Sequence, residues 1–302
     1  MAQEDQGTGQ ANDVRLKEIK SIALAEILTE SGDFDHWKYY DELNELKRRP
    51  LATAWLEAYV MVCVIGRIRP AKVTGFLKKL REKRDKTGQR PLFDRFAAQL
   101  KTYLHPLVLT NHGYREANFE RVDHNQVWSH VGDLVEALEV EGFEVFLNSG
   151  TLLGVTREKA LIGHDDDVDL AVILDAATEE DAAAEWLRLR EWLDMRGLCD
   201  KDAQRAPEIH KLNSIGNVEV DLFPAWVRDG AMFVYPHTYG DLDAAEVLPL
   251  RPCEVTGHKV PKTPEKMLEI NYGENWQKPD PLFKFPWASA NEKFENFLKA
   301  VQ

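Results

Sequence analysis

Cysteine is scarce in this chain of 302 residues, and the three present, Cys63, Cys199 and Cys253, are far apart and lack C-x-x-C spacing. An odd, scattered set excludes a disulfide framework, offers no zinc site and fits a reducing compartment. Basic residues are outnumbered, 38 against 51 acidic ones, for a formal charge of −13. Such a surface repels a phosphate backbone, so no nucleic-acid partner is expected. Long hydrophobic runs are missing too: the most apolar stretch, Leu51 to Ile65, is short for a bilayer crossing and contains Glu57, which makes it a buried helix. Residues 1–13 are polar and acidic, with neither the basic start nor the apolar run of a secretory signal, and read as a disordered tail. Internal repeats and low-complexity tracts are absent as well. What is there is ample core: 44% of the residues are apolar, over a length that suits one large domain or two ordinary ones. The expectation is a globular protein of the cytoplasm.

Texture divides the chain. Residues 14–120 read as a helical region, with apolar positions three and four apart at Ile19, Ile22, Ala23 and Ile27, then at Trp55, Tyr59 and Val62, and with no obvious strand. Between Arg67 and Arg90 ten Lys or Arg residues face only Glu82 and Asp85, a local surplus of eight in an acidic protein. The bland reading is a solvated helix face opposite a stripe of Phe76, Leu77 and Leu80. The functional reading is a dock for an anionic membrane surface or a phosphorylated glycan, which would place the protein peripherally at the inner membrane face. Residues 121–302 alternate between helix and strand. Asn125 to Val140 carries a helical stripe ended by Gly142, Phe143 to Leu147 and Val168 to Leu174 read as strands, and Thr178 to Arg196 is helical. His210 to Val227 reads as a hairpin turning at Gly216-Asn217. The fold class expected is α+β, a mixed sheet flanked by helices, with an N-terminal helical region.

The most informative stretch is Asn148-Ser-Gly-Thr-Leu-Leu-Gly154, followed by His164-Asp-Asp-Asp-Val-Asp-Leu170. Four carboxylates in five positions repel one another, and a fold that gathers them usually supplies a cation. Side chains alternate along a strand, so Asp167 and Asp169 share one face with Cα atoms roughly 6.5 Å apart, while Asp166 points the other way. Asp221 lies on the later strand opposite the apolar face of Val218, Val220 and Leu222. If the strands are neighbours, Asp221 completes a triad of hard oxygen ligands suited to Mg²⁺ or Mn²⁺. A helix-cap or turn origin for the acids fits poorly, because an apolar strand follows at once. A calcium loop matches at Asp165, Asp167 and Asp169 but fails at Leu170 and Ala176, where glycine and glutamate are needed. Gly150 and Thr151 sit where a strand gives way to a helix start, a place that favours a phosphate. Arg157 and Lys159 are candidates to neutralise a diphosphate, and His164 to orient a carboxylate or bind substrate.

These residues resemble the LicD family of phosphotransferases, which includes fukutin and the fukutin-related protein, within the polymerase-β-like nucleotidyltransferase superfamily. The likeness runs from Gly150 through Arg157 to Leu170 and continues in Val220-Asp-Leu-Phe-Pro224, Tyr239-Gly240 and Tyr272-Gly-Glu-Asn-Trp276 with Pro279. It departs at Gly163-His164, where Pro-Trp is frequent. The resemblance implies that Asp167, Asp169 and Asp221 are catalytic and hold the metal, with Asp221 as general base. The expected substrate-binding set is Gly150, Thr151, Gly154, Arg157, Lys159, His164 and Lys211. It also implies transfer of a phosphorylated alcohol, of phosphocholine, ribitol phosphate or glycerol phosphate type, from a CDP-linked donor to a glycan or lipid-linked glycan, with release of CMP. Tyr272 and Trp276 are read first as core packing and second as stacking groups for a base or sugar.

Two other classes share the fold. An NTP-dependent nucleotidyltransferase acting on a small molecule or protein would keep the carboxylates and differ in its donor, and a non-catalytic glycan-binding scaffold would keep the fold without turnover.

Overall fold

In the computed structural model, all residues are described except 1, 111–112, 117–118, 120–121, 166, 200–205, 216–217 and 281, and the side chains of 2–10, 115–116 and 214–215 are also left aside. The turn expected at Gly216-Asn217 and the orientation of Asp166 fall outside the described residues. The chain forms two compact units, residues 1–117 and 118–302.

The first unit is built from α1 (Ala2–Thr29), α2 (His36–Glu45), α3 (Thr53–Ile65), α4 (Pro70–Lys86) and α5 (Arg90–Leu104). Its centre is α3, the apolar run, in which every residue from Trp55 to Val64 is buried. Glu57 is tolerated there because Lys20 and Arg84 reach its carboxylate, at 2.5 and 2.7 Å, which satisfies a charge that would otherwise be costly. Two expectations are corrected. Helix α1 starts at Ala2, inside the stretch read as a loose tail: residues such as Ala2, Gln3 and Glu4 are good helix formers, and polarity alone does not separate an exposed helix from a tail. The unit also has two three-residue strands, β1 (Leu107–Leu109) and β2 (Tyr114–Glu116), paired antiparallel and too short to show a periodicity.

The second unit continues with α6 (His124–Val140), β3 (Glu144–Leu147), α7 (Ser149–Arg157), β4 (Asp167–Leu174) and α8 (Glu179–Met195). Next come β5 (His210–Ile215), β6 (Val218–Arg228), β7 (Ala231–Val234), β8 (Thr238–Asp243) and α9 (Ala244–Val247). A small pair, β9 (Arg251–Pro252) and β10 (Lys259–Val260), precedes α10 (Pro264–Tyr272), α11 (Trp287–Lys293) and α12 (Glu295–Ala300). The six-stranded sheet has the order β3-β4-β6-β7-β8, with β5 also on β6. The expected α+β class, with a mixed sheet flanked by helices beside an N-terminal helical region, is the fold observed.

Strand β6 organises the sheet. It runs parallel to β4 from Asp167↔Glu219 to Leu174↔Trp226. Along its other edge the first half pairs antiparallel with β5 and the second half with β7. Buried on nearly all of its length, β6 loses the strict alternation of a half-exposed strand beyond Leu222. The C-terminal helices close over it: Trp226 stacks on Phe233 and Phe297 and meets Phe294 edge-on. Buried Glu179, at the start of α8, ties this corner together by accepting from Tyr239 at 2.7 Å and from the Phe297 N–H at 3.2 Å.

Candidate active site

The site forms where β3 ends, α7 begins, and β4 and β6 start side by side. Strand β3 pairs with β4 up to Leu147↔Leu170, and the Asn148 N–H continues the ladder to the Asp169 carbonyl at 3.0 Å. The chain then turns through Ser149, whose φ of 43° lies in the left-handed region unusual for a residue with a side chain. Strain of this kind at a strand-to-helix turn is held in place by its surroundings. Here the surroundings are Thr151, whose Oγ1 accepts from the Asp169 N–H at 2.9 Å, and Gly150, whose N–H donates to Asp169 Oδ2 at 2.8 Å. Gly150 must be glycine for a specific reason: a Cβ there would lie 2.7 Å from Asp165 Oδ2 and 3.3 Å from Asp169 Oδ2.

The acids converge through register. Asp167 and Asp169 are two apart on β4, and across the parallel pair Asp169 stands opposite Asp221 while Asp167 stands opposite Glu219. Asp169 and Asp221 are buried, and Asp167 is partly so. Burial, reinforced by the neighbouring Asp165 and Asp221, pushes the Asp167 carboxyl up to about 8, and burial followed by the charges of Asp167, Asp165 and Asp221 drives Asp169 well above the carboxylate range. Asp165 and Asp221 are raised as well, first by burial. Lys211, opposite Asp221 in the β5–β6 register, donates to Asp221 Oδ2 at 2.7 Å. Burial alone would lower its ammonium, but that hydrogen bond and the charges of Asp221, Asp167 and Glu219 outweigh it and hold the lysine protonated. Among the described residues Asp221 Oδ1 is buried without a partner, as are both polar atoms of the Asn148 side chain.

The other anticipated residues are placed differently. Gly154 is a packing position, where a Cβ would meet the Ala160 carbonyl at 2.6 Å as residues 160–162 cross back over α7. Arg157 is engaged with the Trp276 carbonyl at 3.2 Å and with Glu158 at 2.6 Å. Lys159 and His164 are exposed, Lys159 in a left-handed turn with φ 57°, and His164 near enough to Asp165 to offset part of its burial. Trp276 is buried, in keeping with core packing. Tyr272 is half-buried, and its hydroxyl is raised by burial and then by Asp169 and Asp165, so it borders the acids.

Sequence reasoning missed three contributors. Asp165 was visible only as the first member of the D-x-D-x-D spacing. Glu219 shares the face of Asp221 by strand alternation, but its place opposite Asp167 follows from register alone. His237, between β7 and β8, has no local signal: burial pushes it down to about 3, so the ring is neutral, with Nδ1 3.5 Å from Ser149 Oγ and the Phe285 ring tilted against it at 4.4 Å.

As a donor set, Asp165, Asp167, Asp169 and Asp221 suit a hard divalent cation: all are oxygen ligands, their mutual repulsion is only partly offset by Lys211, His164 and the Gly150 N–H, and one oxygen of Asp221 has no partner among the described residues. Among the described residues, no group of three or more His, Cys, Asp or Glu is arranged so that it could hold a metal ion as it stands. The chemistry fits the ion, and the geometry is that of adjacent carboxylates with a lysine on the third.

A helix-opening Gly-Thr turn set against acids on two adjacent parallel strands is the layout of a nucleotidyltransferase-type domain. Residues 142–264 match the family model described as LicD/FKTN/FKRP, nucleotidyltransferase domain, so this part of the chain is similar to the LicD family. An uncharacterized protein of Caenorhabditis elegans is 28% identical over 158 residues, which is 48% of this chain. The match spans 40% of that relative's length. No helix among the described residues is long and apolar enough to cross a membrane.

Proposed function

We propose that the second unit transfers a phosphorylated alcohol, of phosphocholine, ribitol phosphate or glycerol phosphate type, from a CDP-linked donor to a glycan hydroxyl, releasing CMP. The observation that carries this reading is the register of β4 and β6, which sets Asp169 beside Asp221 within reach of the Gly150 turn, in a domain similar to the LicD family. Asp167, Asp169 and Asp221 would hold Mg²⁺ or Mn²⁺, which when bound neutralises charge on the donor diphosphate. The chain's own groups supply the rest. The attacking hydroxyl oxygen forms a bond to the phosphorus nearer the alcohol, the bond from that phosphorus to the CMP oxygen breaks, and the hydroxyl proton passes to Asp221 Oδ1, the oxygen without a partner among the described residues. Lys211 keeps Asp221 Oδ2 occupied, which orients the carboxylate and balances charge as CMP departs. Tyr272 lines the acidic edge, and Arg157 fixes the Trp276 segment beside it. Lys159 and His164 are exposed and free to meet the donor or the acceptor.

The test is thermal stabilisation in Mg²⁺ with CDP-choline, CDP-ribitol, CDP-glycerol, ATP, CTP and UTP, on wild type and Asp167→Asn. A ligand at about 100 times its Kd stabilises by about 2.7 kcal/mol. The expected result is a metal-dependent shift with one CDP-alcohol that is weakened in the variant. A response confined to an NTP would move the reading to nucleotidyl transfer.

A further inference from the structure

Helix α4 carries a charged face that the catalytic site does not use. Lys72, Lys79, Lys83 and Lys86 follow one another at spacings of seven, four and three residues, which keeps all four within about 60° of arc along about 21 Å of helix. The opposite side of α4 is the buried one, with Val73, Thr74, Leu77 and Leu80 packed inward. Among the described residues none of the four lysines has an ion-pair partner, whereas cations beside them do: Arg84 reaches Glu57, and Arg90 reaches Asp85 and Asp94. Glu82 is the one acid flanking the face.

A second observation lies at the N-terminal end of this stripe. Trp37 is 49% exposed and meets Tyr40 edge-on at 5.7 Å. Arg69, the residue before α4, lies over the Tyr40 ring at 5.9 Å, and Lys72 is within electrostatic reach of the same tyrosine. An exposed indole beside a row of unpaired lysines combines the two groups that favour the headgroup layer: an amphipathic ring that sits at the interface, and point charges that attract anionic lipid.

We infer that this face of α4, with Trp37 at its end, docks the protein on an anionic bilayer surface. A helix side is convex, which suits a flat bilayer and gives a saccharide no concavity to enter. Ammonium groups lack the planar fork that favours discrete phosphate or nucleic-acid recognition. The formal charge of −13 opposes any general attraction to such a surface, so binding has to come from a local patch.

The experiment is flotation of the full chain with vesicles of phosphatidylcholine containing about 30% phosphatidylserine, against phosphatidylcholine alone, without nucleotide or divalent metal. Run in this way, its outcome is independent of the transfer reaction. Wild type is expected to float only with the anionic vesicles and to be released as salt rises from about 0.1 M to about 0.5 M. Replacing Lys79, Lys83 and Lys86 together by Gln should weaken binding by about 100-fold, about five-fold per lysine. The matching triple Arg variant should restore it, and Trp37→Ala should weaken it several-fold. Unchanged flotation of the Gln variant, no flotation of wild type, or stronger binding to duplex RNA than to the anionic vesicles would each overturn the assignment.

Discussion

Replacing Asp167 by Asn should make the metal-free protein more stable while removing its activity. The Asp167 carboxyl is pushed up to about 8 from an ordinary 3.8, first by burial and then by Asp165 and Asp221. Between those two values the folded protein holds a proton that the unfolded chain has released, so the folded state is favoured at the acid end and loses stability as pH rises through the window. At about 1.4 kcal/mol per pH unit the ceiling is about 4 kcal/mol near neutrality. Water penetration and relaxation around a partly exposed group reduce this to about 1–2 kcal/mol. An isosteric amide has no charge to bury. The Asn variant should therefore melt about 3–6 °C above wild type at about pH 8 in a chelator, with the gap narrowing toward pH 5, where the folded wild-type carboxyl is protonated and the unfolded one is nearer its own pKa. Scanning fluorimetry at the two pH values reads it directly. A variant that melts below wild type at pH 8, or a gap of the same size at both pH values, would refute the view that these acids are under mutual strain.

Gly154→Ala gains a little helix propensity but drives a Cβ to 2.6 Å from the Ala160 carbonyl, which cannot swing aside. A net loss of about 1–3 kcal/mol should appear as a lower urea midpoint at unchanged slope. Gly150→Ala meets a movable carboxylate instead, Asp165 Oδ2 at 2.7 Å, so it should leave the fold intact and cut transfer by about 10- to 100-fold through displaced acids. Lys211→Met leaves Asp221 with neither oxygen partnered. Because the lysine side chain is 37% exposed, the expected cost is only about 1–2 kcal/mol, and adding Asp221→Asn should recover most of it in a double-mutant cycle.

The elements nearest the site were the most legible. Strand β3 announced itself through alternation and β4 through β-branched residues, and the stripe Val127, Val131, Leu134 and Leu138 fixed α6. The pairing of Asp167 with Asp169 followed from strand alternation, and the place of Asp221 followed once β4 and β6 proved to be parallel neighbours. Contacts set by tertiary packing were not legible. Nothing local to His237 shows that it meets Ser149, 88 residues away. Gly150 was read as a phosphate-turn glycine and Gly154 as one of the substrate-binding residues, yet one makes room for carboxylates and the other for a crossing backbone, a difference that only close approach reveals. Strands β7 and β8 escaped notice because Tyr235-Pro236 and Gly240 interrupt their pattern, while β9 and β10 are only two residues long.

The central claim is the bond that breaks, and mass spectrometry of the products tests it most directly. The purified protein would be incubated in Mg²⁺ with each CDP-alcohol or each NTP and with glycan acceptors, beside Asp169→Asn as control. The expected result is CMP together with an acceptor heavier by one alcohol phosphate, absent in the variant. Diphosphate released from an NTP, with a nucleotide joined to the acceptor, would contradict it.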